Sequence, residues 1–530
     1  MEIEEGMYME LDSATEARRT RGRVVMLVDN TVRNDSRVQK AARSAADAGW
    51  DVVLFGLSPN REHHSWNIGH AEVRLVPKPS PMGRHRFELR RPLLRQPLAY
   101  RSDDHAKYRM QAAKAWRSDL NFRRAAEAAD GPGARSAGGS PLRLVVPRVS
   151  AKVYSKWVGL RARQTRRLRA SRKDLSAPID RATTAMWQKL RGERAWRSLM
   201  PYLWDFELTF AHHIDELKPD IIHAHDFRML GVGARAAVRG RAAGRRVKLV
   251  WDAHEYVPGL HSPHSRWLLA HIAWEKEHVP FADAAITVSP TLAELLKKDH
   301  KLKEMPAVVL NAPVMNPAPE ELAEAEPVPD LRELCGIDKD TPLLAYVGGI
   351  NPVRGVETII EALPSLPDVH VALVSIPPGK RFPALRKIEE LIEELGVGDR
   401  AHVLPFVPHW QVPEFLSSAD AAVSPLHHLP NHELALSNKF FEYSHARLPL
   451  IVSDIRTMAA MVEKTGQGEV FRAQDTEDYI RAVKAVLADP GRYRKAYEKP
   501  GLLEGWTWER QGEVLDEVYS KLLPDRPKLG

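Results

Sequence analysis

The chain contains a single cysteine, Cys335, among its 530 residues. That excludes a disulfide framework, makes a reducing cytoplasmic location the expectation, and favours a packed thiol over a nucleophile. No stretch of about 18 consecutive apolar residues occurs, so no membrane-spanning helix is expected. The opening residues, MEIEEGMYMELDSATEARRTRGR, are acidic where a signal peptide needs an apolar core, so 1–22 reads as a disordered tail. A short internal repeat and the G-x-G-x-x-G fingerprint of dinucleotide binding are also missing.

What is present is a chain of ordinary composition, 44% hydrophobic and 28% charged, long enough for two or three cores. Its charge is unevenly placed. Residues 80–200 hold 29 Lys and Arg against 9 Asp and Glu, a net +20, so with a total of +8 the rest carries −12. A basic insertion in an acidic protein is more informative than the total.

Outside that insertion the pattern alternates. An apolar run at 23–28 (RVVMLV), a helical stretch at 35–48 and a second apolar run at 50–55 make a βαβ unit, which predicts a parallel sheet. The alternation resumes after 205, with strands expected at 220–224, 247–251 and 284–288. A Pro- and Glu-rich segment, 313–330, reads as a linker. A second series then begins at 343–347 and continues through 369–374, 401–404, 421–424, 450–453 and 469–471, with a final helix at about 509–523. The fold class expected is α/β, two Rossmann-like doubly wound domains facing a cleft. The domains are 23–312 (with the insertion at 77–200) and 331–508, and the segment 509–530 is expected to cross back to the first. Ligands of such sheets sit at the C-terminal strand ends.

Several residues at those ends could carry chemistry. Gly348 and Gly349 open a loop that lets backbone approach a ligand, and Arg354 adds a charge of bidentate geometry. Lys439 and Glu442 lie one helical turn apart in SNKFFEYSHARLPLIVSD. They could form a plain surface ion pair, or meet a phosphate and a ribose diol respectively, with Ser437 as N-cap. In the first half, His223, His225 and Asp226 end one expected strand, and Asp252, His254 and Glu255 the next. Metal binding is the rival there, with no further ligand at matching spacing.

Taken together, the motifs DIIHAHDF (220–227), VWDAHEYVP (250–258), ADAAITVSPTLAELL (282–296), LAYVGGINPVRGVETIIEAL (344–363), FVPHWQVPEFLSSADAAVSPL (406–426) and SNKFFEYSHARLPLIVSD (437–454) resemble the retaining GT-B glycosyltransferases of family 4, group 1 type. The resemblance covers about 23–58 and 205–525. It implies a hexosyltransferase that uses a nucleotide-diphosphate sugar, retains anomeric configuration and needs no metal or other cofactor. By the same resemblance Glu442 holds the nucleotide ribose, Arg354 and Lys439 the diphosphate, and His254 faces the transferred sugar. Gly348, Gly349, Phe406 and Val407 complete the donor set; Arg37, His225, Asp226 and Glu255 are the acceptor or sugar contacts. The chain departs from the family pattern in three places. The position of the first glutamate holds Leu434, with Glu433 one off register; Gly349 replaces the first basic residue of the diphosphate loop; and DNTVRNDSRV (29–38) replaces a Gly-rich loop. Two alternatives stay open: a sugar-nucleotide epimerase of the same fold, and an inactive binding homologue.

The acceptor is a glycan, lipid or small molecule that these residues do not identify. The insertion is read most plainly as a solvated helical element. As a binding element, its basic residues interleaved with Trp116, Tyr154, Trp157, Trp187 and Trp196 favour an anionic membrane surface or an anionic acceptor over nucleic acid, for which no motif accompanies the charge. Peripheral attachment at the inner face of the membrane is the matching expectation.

Overall fold

The computed structural model describes residues 20–33, 35–78, 97–129, 145–175, 178–262, 264–317, 319–323, 326–376 and 382–526. Residues 1–19 of the expected tail and the Gly/Ser-rich stretch 131–141 lie outside them. The chain forms two compact units. One comprises Met1–Lys78, Phe206–Leu260 and His278–Gly530; the other comprises Pro79–Asp205 and His261–Glu277.

The first unit contains both sheets. Its first half builds β1 (Arg23–Leu27), β2 (Asp51–Leu57), β3 (His64–Ile68), β4 (Ala71–Val76), β5 (Ile221–His225), β6 (Lys248–Ala253), β7 (Ala284–Thr287) and β8 (Ala307–Val308). Their order is β3-β4-β2-β1-β5-β6-β7-β8, parallel except for the β3–β4 hairpin. The second half builds β9 (Leu343–Val347), β10 (His370–Ile376), β11 (Ala401–Pro405), β12 (Ala421–Ser424), β13 (Leu450–Ser453) and β14 (Gly468–Phe471). Here the order is β11-β10-β9-β12-β13-β14, all parallel. Strands such as Leu343–Val347 and Leu450–Ser453 are buried throughout, as strands covered by helices on both faces must be. In each sheet the first strand is flanked by strands whose connections run to opposite sides. The loops after β1 and β9 therefore open at the topological switch points, where a doubly wound sheet leaves a crevice.

The last helix, Trp508–Leu522, packs on the first one, Ser36–Asp47. Trp508 Nε1 donates to Ser44 Oγ at 2.8 Å, Trp50 Nε1 to Asp516 Oδ1 at 2.9 Å, and Leu515 and Tyr519 share a core with Val24, Met26 and Val38. The C-terminal residues thus complete the N-terminal core.

The second unit is helical. Its helices include Asp103–Ala129, Val145–Asp174 and Pro178–Arg191, and the segment His261–Glu277, which the sequence places in the first half, belongs with them. Trp196 is fully buried, edge-on to Trp274 at 4.5 Å, with its indole N–H on Glu277 Oε2 at 2.5 Å. It is a core residue, which corrects its reading as an interfacial aromatic.

Candidate functional site

The geometry begins at the end of β9. Gly348 has φ +121°, and a Cβ there would stand 2.4 Å from Lys439 Cε. Only glycine lets the lysine side chain lie across this loop. Gly349 follows with no atom within 4 Å of where its Cβ would be, and its carbonyl accepts from the Tyr346 hydroxyl at 3.1 Å. Gly355, φ +69°, closes the turn so tightly that a Cβ would meet Pro425 O at 1.9 Å. Between them Arg354 is half-buried, and among the described residues its side chain makes no hydrogen bond or ion pair.

The helix Asn438–His445 brings in Lys439 and Glu442. They do not form the i,i+3 ion pair. The Lys439 ammonium, buried, lies 4.8 Å from the centre of the Tyr346 ring and 3.5 Å from its hydroxyl. Burial, helped by the nearby Arg354 charge, pushes its pKa down to about 7, with Glu442 opposing. Burial pushes Glu442 up to about 7, while Lys40 and Lys439 draw it down. A lysine and a glutamate held one turn apart yet unpaired are poised for groups that neither supplies to the other. Ser437 stands at the N-cap position, but its hydroxyl makes no capping bond, and its buried Oγ has no partner among the described residues. Phe406 and Val407 follow β11, half-buried against the core of the second half.

Lys40 is the residue that sequence reasoning missed. It projects from the first helix, donates to Ala312 O at 2.6 Å and Asn311 Oδ1 at 3.1 Å, and lies 4.5 Å from the centre of the Trp508 ring. Burial, then the charge of Arg37, brings its pKa down to about 7, against the pull of Glu442. A cation three residues from Arg37, and so on the same face of the helix, was the available signal.

In the first half β5 stays extended through His225, so His223 and His225 fall on one side, stacked at 4.1 Å. They converge on Asp252, which is 1% exposed. Its Oδ2 lies 3.6 Å from His223 Nε2, 3.2 Å from His225 Nδ1 and 3.1 Å from His254 Nε2. Arg37 closes the group: its Nε and Nη2 donate to the two Asp252 oxygens at 3.1 and 2.9 Å, and its Nη1 to Val309 O at 2.8 Å. Arg37 and His225, expected as acceptor or sugar contacts, are buried members of an ion network in this structure. His223 Nδ1 meets the Tyr519 hydroxyl at 2.5 Å.

His254 alone among the three histidines keeps open surface, at 19% of its side chain. Burial works against its imidazolium, but Asp252 outweighs it and raises the pKa above the ordinary value. At His225 burial prevails, joined by the neighbouring His223, and brings the pKa down to about 3. Asp226 starts the next helix in a left-handed conformation, φ +66°, with burial pushing it up to about 7; Glu255 is exposed at the surface.

His223, His225 and Asp252 are close enough to ligate a cation. The donor set nevertheless fits a metal poorly, because a guanidinium already spans both carboxylate oxygens. The halves meet close by. Tyr256, two residues beyond His254, donates its N–H to Asn431 Oδ1 at 2.8 Å, and Ser289 Oγ donates to Leu434 O. Leu434, at the place of the absent first glutamate, is buried, and Glu433 accepts from His428 at 2.6 Å and from the Arg456 N–H at 2.8 Å.

Comparison with known proteins adds two family matches. Residues 180–314 match Glycosyltransferase Family 4 and residues 329–501 match Glycosyl transferases group 1. A D-inositol 3-phosphate glycosyltransferase of Xylanimonas cellulosilytica is 25% identical over 199 residues, which cover 37% of this chain and 46% of that one. The chain thus spans about half the length of the curated relatives it matches. Among solved structures, sucrose-phosphate synthase from Thermosynechococcus elongatus superposes with a TM-score of 0.58 at 16% identity, over 95% of this chain and all of that one. The Anabaena protein Alr3699/HepE, in complex with UDP and glucose, gives 0.55 at 12% identity, over 94% and 100%.

Proposed function

Since the chain belongs to the GT-B glycosyltransferases of the family 4, group 1 type, we propose that it moves a sugar from a nucleoside-diphosphate sugar to an acceptor, with retention of configuration and without a metal. The observation that carries this reading is the pair Lys439, buried, and Glu442, half-buried, not paired with each other, beside the Gly348–Gly349 loop and Arg354.

The chemistry follows from charge. Departure of a nucleoside diphosphate builds negative charge on phosphate oxygens. Arg354 and Lys439 stabilise that charge, aided by the amides that open the helix Asn438–His445. A diphosphate beside Lys439 offsets its desolvation and restores the ammonium. Glu442 accepts hydrogen bonds from the ribose diol. His254, whose imidazolium Asp252 favours, donates to the sugar or acceptor. Arg37, His223 and His225 hold Asp252 and thereby His254.

The deciding test is a thermal-shift screen against UDP, GDP, ADP and dTDP sugars, followed by product analysis with and without acceptors. UDP comes first because the Anabaena neighbour binds UDP and glucose. A donor at a hundred times its Kd adds about 2.7 kcal/mol of stability. Product from donor alone would point to epimerisation, and no product with any donor to a binding homologue.

Lys439→Ala and Arg354→Ala are each expected to lower kcat by about 10- to 100-fold while donor Kd changes less, because the leaving-group charge grows toward the transition state. Equal losses in both parameters would assign the two residues to uniform binding. Treatment with EDTA is expected to leave turnover unchanged, and chelator-sensitive activity restored by a divalent ion would overturn metal independence.

A further inference from the structure

We propose that the helical unit carries a membrane-docking surface on the helix Val145–Asp174, with its apolar ridge in the N-terminal half and its cations continuing beyond, fitted to anionic lipid. This helix and Asp103–Ala129 make an antiparallel hairpin: Arg169 pairs with Asp103 at 2.5 Å at one end, and Trp116 meets Tyr154 at 5.7 Å nearer the other. Ala151, Val158 and Ala162 face inward, each no more than 3% exposed. On another face stand Val146, Val149, Val153 and Trp157, exposed by 70, 57, 62 and 45%. Their spacing of three, four and four residues makes one ridge, about 17 Å long at 1.5 Å per residue. Solvent alone gives no reason for three valines and a tryptophan in line.

The flank of the ridge is basic. Arg148, Lys152, Lys156, Arg163, Arg166 and Arg167 are exposed, and among the described residues none pairs with a carboxylate. Across 145–174 there are ten Lys or Arg and one Asp. Two arginines of the run RARQTRRLR (161–169) lie off this surface. Arg161 is turned inward onto the Tyr100 ring at 4.0 Å and Leu98 O at 3.0 Å, and Arg169 is held by Asp103. A basic flank alone would suit nucleic acid equally well. An apolar ridge beside it does not, because phosphates and base edges have little use for valines, whereas an interfacial helix sinks its apolar side among acyl chains and sets its cations among headgroups. Trp157 suits that boundary.

The test uses the full chain and sedimentation with vesicles of phosphatidylcholine containing phosphatidylglycerol, against phosphatidylcholine alone. The parent is expected to bind the anionic vesicles at low salt and to be released by salt. Replacing Val146, Val149, Val153 and Trp157 by serine should weaken binding by about tenfold or more. Replacing the six flanking cations by glutamine should weaken it by about a hundredfold or more and remove the salt dependence. Both sets are solvent-facing, so unchanged circular dichroism and unchanged donor binding check that each variant is folded. The proposal is overturned if the parent ignores anionic vesicles at low salt, binds neutral ones equally, or keeps full binding without the ridge. Binding to RNA or duplex DNA in place of vesicles would overturn it as well and assign the cations to nucleic acid.

Discussion

Asp252→Asn is expected to cost about 3–5 kcal/mol of folding stability, the scale seen when one partner of a buried ion pair is removed. The asparagine fits the space, so volume is not the cause. The loss comes from leaving the Arg37 guanidinium, 4% exposed, without its counter-charge. Urea unfolding at pH 7 measures it, and a loss under 1 kcal/mol would show that Arg37 finds another acceptor. The pH dependence has a definite sign. Although burial opposes it, Arg37 and then His254 hold the Asp252 carboxyl well below its ordinary range. Its contribution is therefore complete above the unfolded value of about 3.9 and is lost as pH falls from there toward the folded pKa. The gap between parent and variant should be widest near pH 5, close below about 4, and narrow above about 6.5 as His254, whose pKa Asp252 raises, gives up its proton. A shallower acid loss, starting near the ordinary histidine value of about 6.5, should be common to both proteins. It arises because burial keeps His223 and His225 neutral in the folded chain.

Glu442→Ala is expected to weaken donor binding by about 2–4 kcal/mol, or roughly 30- to 1,000-fold in Kd, the scale of a buried, charge-assisted pair of hydrogen bonds. Titration calorimetry with the donor found by the screen reads it directly. Because Glu442 is pushed up to about 7, its carboxylate takes up a proton as pH falls through that value and its hold on the ribose weakens, while Lys439, brought down to about 7, gains its ammonium over the same range and opposes that loss. The variant should keep only the lysine's part, a donor affinity that rises as pH falls. Binding within threefold of the parent would return Glu442 to an internal role opposite Lys40.

Much of the architecture was legible because parallel strands covered on both faces are nearly continuous apolar runs, as at Leu343–Val347 and Leu450–Ser453. The β3–β4 hairpin was not. His64–Ile68 is an edge strand with no fully buried residue, so burial left little imprint on its composition. Lys439, Glu442 and Arg354 are legible as candidates because each lies in a recognisable helix that follows a strand or in the loop that leads to one. The burial of Arg37 is not legible, and the reason is distance along the chain: its partner Asp252 is 215 residues away, and no local pattern marks a helix arginine as buried until the neighbouring strands are assembled. Lys40 escaped for the same reason, with Asn311 and Ala312 as its partners.

The place of the helix Trp508–Leu522 in the N-terminal core has a consequence for biosynthesis. Trp50 emerges from the ribosome 458 residues before Trp508. At 5–20 residues per second that interval is roughly 25–90 s. Throughout it the apolar face of the first helix, which Leu515, Val518 and Tyr519 later help to close, has no cover from them, and His223 has no hydroxyl partner. The second sheet carries its own core and can close before the first is finished. Order of synthesis and order of completion are therefore reversed for the two halves, and the nascent N-terminal half is where a holdase chaperone would find its surface.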